Sequence, residues 1–261
     1  MEDLSIYNPE GSDLRRAQKT MLNILREVSM ICDKYNIPYW LSFGTLLGAV
    51  RHQGFIPWDD DLDIEVEQKD FDKLLTILEK ELPSTMVVQS ENNDENYYLK
   101  FAKVRDRNSI IHENSSILYK ERGIFIDIFP RESANSFLIN LYKRFLVNSN
   151  QINKTNFKNP IYSPIINKLK VRISNLILYI IRFSNMVFRF KKSYVLSIIK
   201  SSIGLERECL YPLKQIKFEG DIFKCPANAE AYLKLYYEDY MELPKPENRM
   251  VHSTKIDFLN P

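Results

Sequence analysis

The segment Phe55–Glu65, FIPWDDDLDIE, places four aspartates (Asp59, Asp60, Asp61 and Asp63) within five positions, among residues that belong in a core. Phe55, Ile56 and Trp58 are poor choices for a solvated acidic turn. Leu62 and Ile64 alternate with Asp61 and Asp63. That period of two predicts a strand with carboxylates on one face and apolar side chains on the other. Two carboxylates on one face repel, and in apolar surroundings the repulsion raises their pKa or destabilises the fold. A divalent cation removes the conflict, and carboxylate oxygens suit Mg²⁺ or Mn²⁺. Asp127 poses the same problem inside the apolar run GIFIDIF of residues 123–129. A lone carboxylate there is expensive without a partner. A buried Lys or Arg answers Asp127 alone; a metal shared with Asp61 and Asp63 answers all three together.

A third element lies upstream. Residues 40–45, WLSFGT, read as a strand that ends in Gly44-Thr45 at a helix start. Backbone N–H groups at such a corner can hold a phosphate, and the threonine hydroxyl adds a donor. A strand–Gly–Thr–helix corner is a weak signal by itself. Set sixteen residues before an Asp-x-Asp strand, with another aspartate in a later strand, it becomes specific.

The rest of the chain gives these elements a body. Ser12 is a fitting N-cap, and Leu14, Ala17, Met21, Ile24, Leu25, Val28, Ile31 and Cys32 recur at helical spacing until Asn36 and Pro38 end the helix. Strands are expected near 37–42, 62–66, 86–89, 97–104, 109–112, 123–129 and 217–224. Helices are expected over 46–51, 71–82 and 227–237, a mainly helical stretch from 131 to about 202, and an irregular tail. The expectation is an α+β fold: a mixed α/β body over 1–130, a basic helical insert over 131–204, and a C-terminal part over 205–261 that completes the body.

The net charge of +2 hides this division. Ser133 to Leu205 carries twelve Lys and Arg and no Asp or Glu, so the remainder of the chain has a net charge of −10. The insert is also apolar, but its uncharged run between Arg172 and Arg182 is only nine residues. A membrane-crossing helix needs about 20. An amphipathic surface helix over 165–200, with Lys and Arg reaching anionic headgroups, fits this composition; a buried helix with a solvated basic rim is the plain alternative. No aromatic-rich nucleic-acid motif accompanies the charge. Cys32, Cys209 and Cys225 lie far apart with no C-x-x-C. They read as reduced thiols of a cytoplasmic protein without metal-ligand spacing, and the polar, acidic start has no secretory signal pattern.

The pattern hG[ST]…DhDh…hDh resembles the signature of the polymerase-beta-like nucleotidyltransferase superfamily. Residues 43–63, FGTLLGAVRHQGFIPWDDDLD, further resemble the core of the LicD family of phosphocholine transferases. Lys103 and Arg105 in KVRD look like that family's basic strand, residues 123–130 like its second acidic motif, and the tail from Tyr240 through Arg249 to His252 like its closing motif. The resemblance covers roughly 15–130 and 205–255 and leaves the insert out. It implies a nucleotidyltransferase-like sheet core and transfer of a phosphorylated alcohol from a CDP-linked donor to a sugar hydroxyl of a surface glycan, releasing CMP. It further implies Mg²⁺ or Mn²⁺ on Asp61, Asp63 and Asp127, with Asp127 orienting or deprotonating the acceptor. Gly44, Thr45, Lys103 and Arg105 would face donor phosphate. Asp59 and Asp60 would back the site or hold Arg51, and His52 and His252 either bind phosphate or cap local structure. A lipid-linked acceptor would place the enzyme peripherally on the inner face of a bacterial plasma membrane. The rival activity is nucleotidyl transfer from an NTP, and the non-enzymatic rival a membrane-associated scaffold with a degenerate site.

Overall fold

The structure, a computed structural model, describes residues 3–97, 99–113, 119–134, 193–196, 205–237, 239–249 and 253–259, and residues 173, 176, 177, 179, 180, 183, 184 and 187. It falls into two compact units, Met1–Pro130 with Glu208–Pro261, and Arg131–Arg207.

The first unit is built on helices α1 (Asp13–Lys34), α2 (Phe43–His52), α3 (Gln68–Glu81) and α4 (Ala229–Tyr236) around a sheet. Its strands are β1 (Tyr39–Leu41), β2 (Asp63–Glu67), β3 (Met86–Gln89), β4 (Ala102–Asp106) and the first part of β6 (Phe125–Ala134), in the order β1-β2-β6-β4-β3. Ser12 caps α1 by accepting the Arg15 N–H. The buried stripe of α1 runs Ala17, Met21, Ile24, Leu25, Val28, Ile31, Cys32, as the helical spacing predicts. Asn36, at φ 54°, closes the helix. Burial pushes the Cys32 thiol up to about 12, so it is an inert core residue.

The order of the sheet matters for the site. β2 and β6 are neighbours although some sixty residues separate them in sequence, and the Asp127 N–H donates to the Leu62 carbonyl at 2.8 Å. β4 then pairs antiparallel with β6 so that Lys103 stands opposite Asp127. Leu62, Ile64, Val66, Val104, Ile126 and Ile128 are all buried and supply the apolar face beneath these polar positions.

Four local expectations differ from the structure. The stretch expected as one strand over 217–224 is a hairpin, β9 (Lys214–Phe218) and β10 (Asp221–Cys225), because Glu219 (φ 52°) and Gly220 (φ 91°) form its two-residue turn. The tail is not wholly irregular: β11 (Ser253–Phe258) pairs with β5 (Ser109–Glu113), with the His112 ring 2.8 Å from the Asp257 carboxylate. β4 begins at Ala102, so Tyr97 and residues 99–101 are loop. α2 begins at Phe43, three residues earlier than its apolar pattern suggests, because Ser42 takes an extended backbone and starts the helix.

In the second unit the end of β6, Arg131–Ala134, pairs with β7 (Ser193–Leu196), which pairs with β8 (Leu205–Glu206). The end of β6 and β7 fall where helix was expected; Tyr194 and Val195 are strand formers that a helical reading of the region passed over. Most of the expected membrane-facing stretch, 165–200, lies outside the described residues. The described positions among 173–187 are helical, and no described helix is long and apolar enough to cross a membrane.

Gly48 sits where α2 crosses the 54–56 loop. A Cβ there would stand 2.4 Å from the Gly54 carbonyl oxygen and 3.1 Å from the Ile56 nitrogen. Glycine-to-alanine in a helix interior ordinarily stabilises by about 1 kcal/mol. Overpacking against backbone costs about 1–3 kcal/mol and outweighs that gain. Gly48→Ala is therefore expected to lower the unfolding midpoint in a thermal melt; a rise would show that α2 does not pack as closely as described.

Candidate active site

The site forms where the N-terminus of α2 meets β2. Ser42 N–H donates to the Asp63 carbonyl at 3.1 Å, and Asp63 N–H donates to Thr45 Oγ1 at 2.8 Å. These two bonds lock the Gly-Thr corner to the Asp-x-Asp strand. Phe43 pays for the sharp entry with φ 44°, a left-handed backbone unusual for a bulky residue. Gly44 lies close under two carboxylates: a Cβ there would stand 3.0 Å from Asp59 Oδ2 and 4.0 Å from Asp61 Oδ1. Both carboxylates thus overhang the backbone at the start of α2, where the helix dipole favours negative charge. The Ser42 hydroxyl is also buried here, with no hydrogen-bond partner among the described residues.

Asp63 and Asp127 are both buried, at 8% exposure, and lie side by side on β2 and β6. Burial, then the charges of Asp61, Asp127 and Asp59, hold the Asp63 carboxyl well above the usual range. Burial and the neighbouring Asp61 do the same to Asp59. Asp127 is raised less, because its burial is opposed by Lys103, whose ammonium sits 2.7 Å from Asp127 Oδ1. Lys103 is itself buried and rests 3.2 Å from the centroid of the Phe125 ring. Of the two answers to Asp127 read from sequence, the buried lysine is present, and the carboxylate also neighbours the other acids.

The remaining expected residues take different positions. Arg105 is buried and engages Gln89 Oε1 at 2.5 Å and the Gly123 carbonyl at 2.8 Å, in the β3–β4–β6 layer. Arg51 donates to the carbonyls of Tyr240 (2.8 Å) and Glu242 (3.1 Å) and to the His52 ring at 3.0 Å. Arg249 donates to the Pro244 carbonyl and the Tyr7 hydroxyl and lies 4.5 Å from the Trp58 ring centroid. Burial lowers the Arg51 pKa, Arg249's charge adds to that, and Tyr237 and Asp59 oppose it. Arg51, His52 and Arg249 thus form a basic, aromatic-lined wall beside Asp59. His252 lies outside the described residues.

Three participants were not visible in sequence. Tyr237, just past α4, has its phenol pushed up by burial and by the charges of Asp63, Asp59 and Asp61. Gln18 on α1 is buried and donates to the Asp59 carbonyl at 2.9 Å. Trp40 Nε1 donates to the buried Glu65 at 2.7 Å, two residues along β2 from Asp63. Only the last had a signal, the continued alternation of Asp63, Glu65 and Glu67 on β2.

Asp59, Asp63 and Asp127 offer hard oxygens of raised proton affinity with Lys103 as one compensating ammonium, and with Asp61 they are the residues that would hold a divalent cation. Among the described residues no three His, Cys, Asp or Glu side chains already stand in ligating geometry. Asp59 hydrogen-bonds Asp61, and Asp127 is held by Lys103.

An α+β unit that crowds aspartates over a helix start defines the class; comparison with known proteins gives the family. The family model for LicD/FKTN/FKRP, nucleotidyltransferase domain, matches residues 36–167. The chain belongs to the LicD family. It is 26% identical over 262 residues, covering 94% of this chain and 98% of the relative, to lipopolysaccharide cholinephosphotransferase LicD of Haemophilus influenzae. It is also 40% identical over 72 residues to mouse ribitol 5-phosphate transferase FKRP, covering 26% of this chain and 14% of that protein. The corresponding match to human FKRP is 40% over 53 residues, covering 19% of this chain and 11% of the relative.

His52 provides a check on the basic wall. Burial and Arg51 push its imidazole down to about 4 from 6.5. The folded state refuses a proton that the unfolded chain accepts, so this contribution to stability is present above pH 6.5 and is lost as pH falls towards 4. The His52 ring is expected to remain neutral at pH 5.5 by NMR, and His52→Gln to lose less stability than wild type between pH 7.5 and pH 5. A His52 titrating near 6.5 would place the ring in solvent.

Proposed function

We propose that this protein transfers a phosphorylated alcohol, phosphocholine or a close analogue, from a CDP-linked donor to a sugar hydroxyl of a cell-surface glycan. The acceptor oxygen forms the new bond to the distal phosphorus, the pyrophosphate P–O bond breaks, and CMP leaves with that electron pair. The single observation that carries this reading is the gathering of Asp59 and Asp61 over the α2 N-terminus with Asp63 and Asp127 on the adjoining strands, in a chain of the LicD family. The relatives' names point the same way: one transfers phosphocholine to lipopolysaccharide, another ribitol phosphate.

Each group has a task in this reading. The α2 backbone at Gly44 and the buried Ser42 hydroxyl offer donors to a donor phosphate. Asp61, Asp63 and Asp127 would hold Mg²⁺, which neutralises diphosphate charge and stabilises the leaving oxygen when bound. Asp127 takes the acceptor proton, and the adjacent Lys103 ammonium opposes the rise in its proton affinity that burial causes. Arg51 and Arg249 supply positive charge on the other side of Asp59. Thr45 braces Asp63 through its backbone N–H. Arg105 supports the strand that carries Lys103.

The acceptor in this proposal is lipid-linked, and the basic insert brings the enzyme to an anionic membrane. Leu176, Ile180, Phe183 and Val187 recur at helical spacing, and with Tyr179 they are 47–67% exposed. The full-length protein is expected to float with phosphatidylglycerol vesicles in low salt and to be released as salt rises. Failure to float would remove the membrane from this proposal.

The reaction itself is tested by incubating the protein with CDP-choline or ATP, a glycan acceptor and Mg²⁺. CMP is expected from CDP-choline, at least 100-fold less from Asp63→Asn, and none after chelation until Mg²⁺ is restored. Pyrophosphate from ATP, with no CMP from CDP-choline, would instead assign nucleotidyl transfer.

A further inference from the structure

The loop that leads into the acids, residues 53–59, is held at two points. At the first, the turn of the β9–β10 hairpin closes on it. Glu219 N–H donates to the Gln53 carbonyl at 2.9 Å, and Glu219 Oε1 accepts from the Phe55 N–H at 3.1 Å. The approach is close, since a Cβ on Gly54 would stand 2.3 Å from that oxygen. At the second, the fully buried Gln18 donates from Nε2 to the Asp59 carbonyl at 2.9 Å. One side chain joins the two holds. Arg15 Nη2 donates to Glu219 Oε2 at 2.7 Å, and Arg15 Nη1 donates to Gln18 Oε1 at 3.3 Å. The Arg15 and Glu219 side chains are 19% and 16% exposed, so the pair is largely shielded from solvent. A single guanidinium on α1 therefore reaches both ends of the stretch that carries Trp58 and ends at Asp59.

We propose that Arg15 is a positioning residue for the transfer reaction, fixing Glu219 and Gln18 together and through them the placement of Asp59 and Asp61 over the α2 start. This rests on the transfer reaction proposed above and adds a residue that acts on it through others. The planar fork suits the task, because two nitrogens of one guanidinium serve two separate acceptors in fixed directions. Arg15 also decides which way Gln18 points. Gln18 Oε1 receives Arg15 and, at 2.8 Å, Asn8 Nδ2. Both partners are donors, so only the observed orientation of the amide satisfies them and leaves Nε2 for the Asp59 carbonyl. The stretch between the holds is closed on itself, with Asp59 N–H donating to the Ile56 carbonyl at 2.9 Å. Beyond it, Asp59 hydrogen-bonds Asp61. A shift at Asp59 is thereby carried to its neighbour, and misplacing a reacting group by about 1 Å can cost about 100-fold in rate. The plain alternative is an ion pair that only ties the hairpin to α1, and the test separates the two.

The chain carries its own reporter. Of its two tryptophans, Trp58 sits between the two holds and Trp40 lies in the core. The full-length protein would be compared as wild type, Arg15→Met, Arg15→Lys and Arg16→Met. The last removes the same charge one position on, where the guanidinium lies by Asp13 and the Phe258 ring. Melting curves set a temperature at which the variants are folded. Exchange of the two indole N–H groups is then followed by NMR, and CMP release from CDP-choline at saturating Mg²⁺ gives kcat. Arg15→Met is expected to speed Trp58 exchange about tenfold, with Trp40 unchanged, and to lower kcat about tenfold. Arg15→Lys keeps the charge without the fork and is expected to fall between, and Arg16→Met to match wild type in both. Where Arg15→Met does not fold, Arg15→Lys carries the same comparison. A lower melting temperature with Trp58 exchange and kcat at wild-type values would leave Arg15 a stabilising tie and overturn the proposal. So would a fall in kcat without faster Trp58 exchange, faster exchange at unchanged kcat, or equal effects from Arg16→Met. Absence of CMP release by wild type from any CDP-linked donor would overturn the transfer reaction, and Trp58 exchange would still decide whether Arg15 holds the loop.

Discussion

The structure depends on how two buried carboxylates on adjacent strands are tolerated. Asp63 on β2 and Asp127 on β6 sit on one sheet face, with Asp59 and Asp61 close by at the end of the preceding loop. Like charges about 4 Å apart repel by about 4 kcal/mol at the effective dielectric of a partly buried site. The opposite face of the same strands opposes that repulsion. Leu62, Ile64, Val66, Ile126 and Ile128 are fully or almost fully buried, each contributing about 1.5–3 kcal/mol relative to exposure. Lys103 removes part of the remaining conflict through its pair with Asp127. A neutral residue in its place would leave an uncompensated buried charge, the costly way to break such a pair.

Distant parts of the chain converge to hold the acidic loop. Gln18 of α1 reaches the Asp59 carbonyl, and Asn8 in turn holds Gln18. The turn of the β9–β10 hairpin comes from the other side: Glu219 accepts from the Phe55 N–H at 3.1 Å and pairs with Arg15 at 2.7 Å. Arg51 and Arg249 tie residues 240–249 back to α2, Trp58 and Tyr7. The chain before the acidic cluster and the chain after residue 208 thus belong to the same unit because both close around one loop. A site assembled this way keeps water from the carboxylates on several sides, and their raised proton affinity follows from that.

What could be read from sequence was the part in which chemistry and periodicity disagree. An aspartate in GIFIDIF, or four in FIPWDDDLDIE, contradicts its apolar neighbours, and contradiction of that kind marks a site. The Ser12 cap, the α1 stripe and the Gly44-Thr45 corner were legible for the opposite reason, since local pattern and final structure agree. The rest was illegible because its meaning is tertiary. Nothing near Tyr237 or Gln18 in the chain signals the acids they face. The Lys103–Asp127 pairing exists only through β4–β6 register, and the same register leaves Arg105 with Gln89 and the Gly123 carbonyl. The β9–β10 hairpin was hidden because its strands alternate alike on both sides of Glu219-Gly220, and β11 because a six-residue edge strand after a proline-rich stretch carries little periodicity of its own.

The acids have little freedom to relieve their crowding, since each is fixed through its backbone from a different direction. Asp63 is held by Ser42 and Thr45 of the α2 start, Asp127 by the Leu62 carbonyl, and Asp59 by Gln18. Glu65, next on β2, is pinned by the Trp40 indole. Rigid placement converts repulsion that a flexible loop would dissipate into a standing demand for positive charge at one point. The left-handed Phe43 is part of the same device: its unusual backbone turns α2 so that Gly44 can lie under Asp59 and Asp61, at a cost of about 1–3 kcal/mol that the surrounding packing sustains. A surface cluster of aspartates would disperse into solvent and bind cations weakly. Here desolvation and fixed backbone act together, and the raised proton affinity of Asp59 and Asp63 follows from the fold rather than from the number of acids.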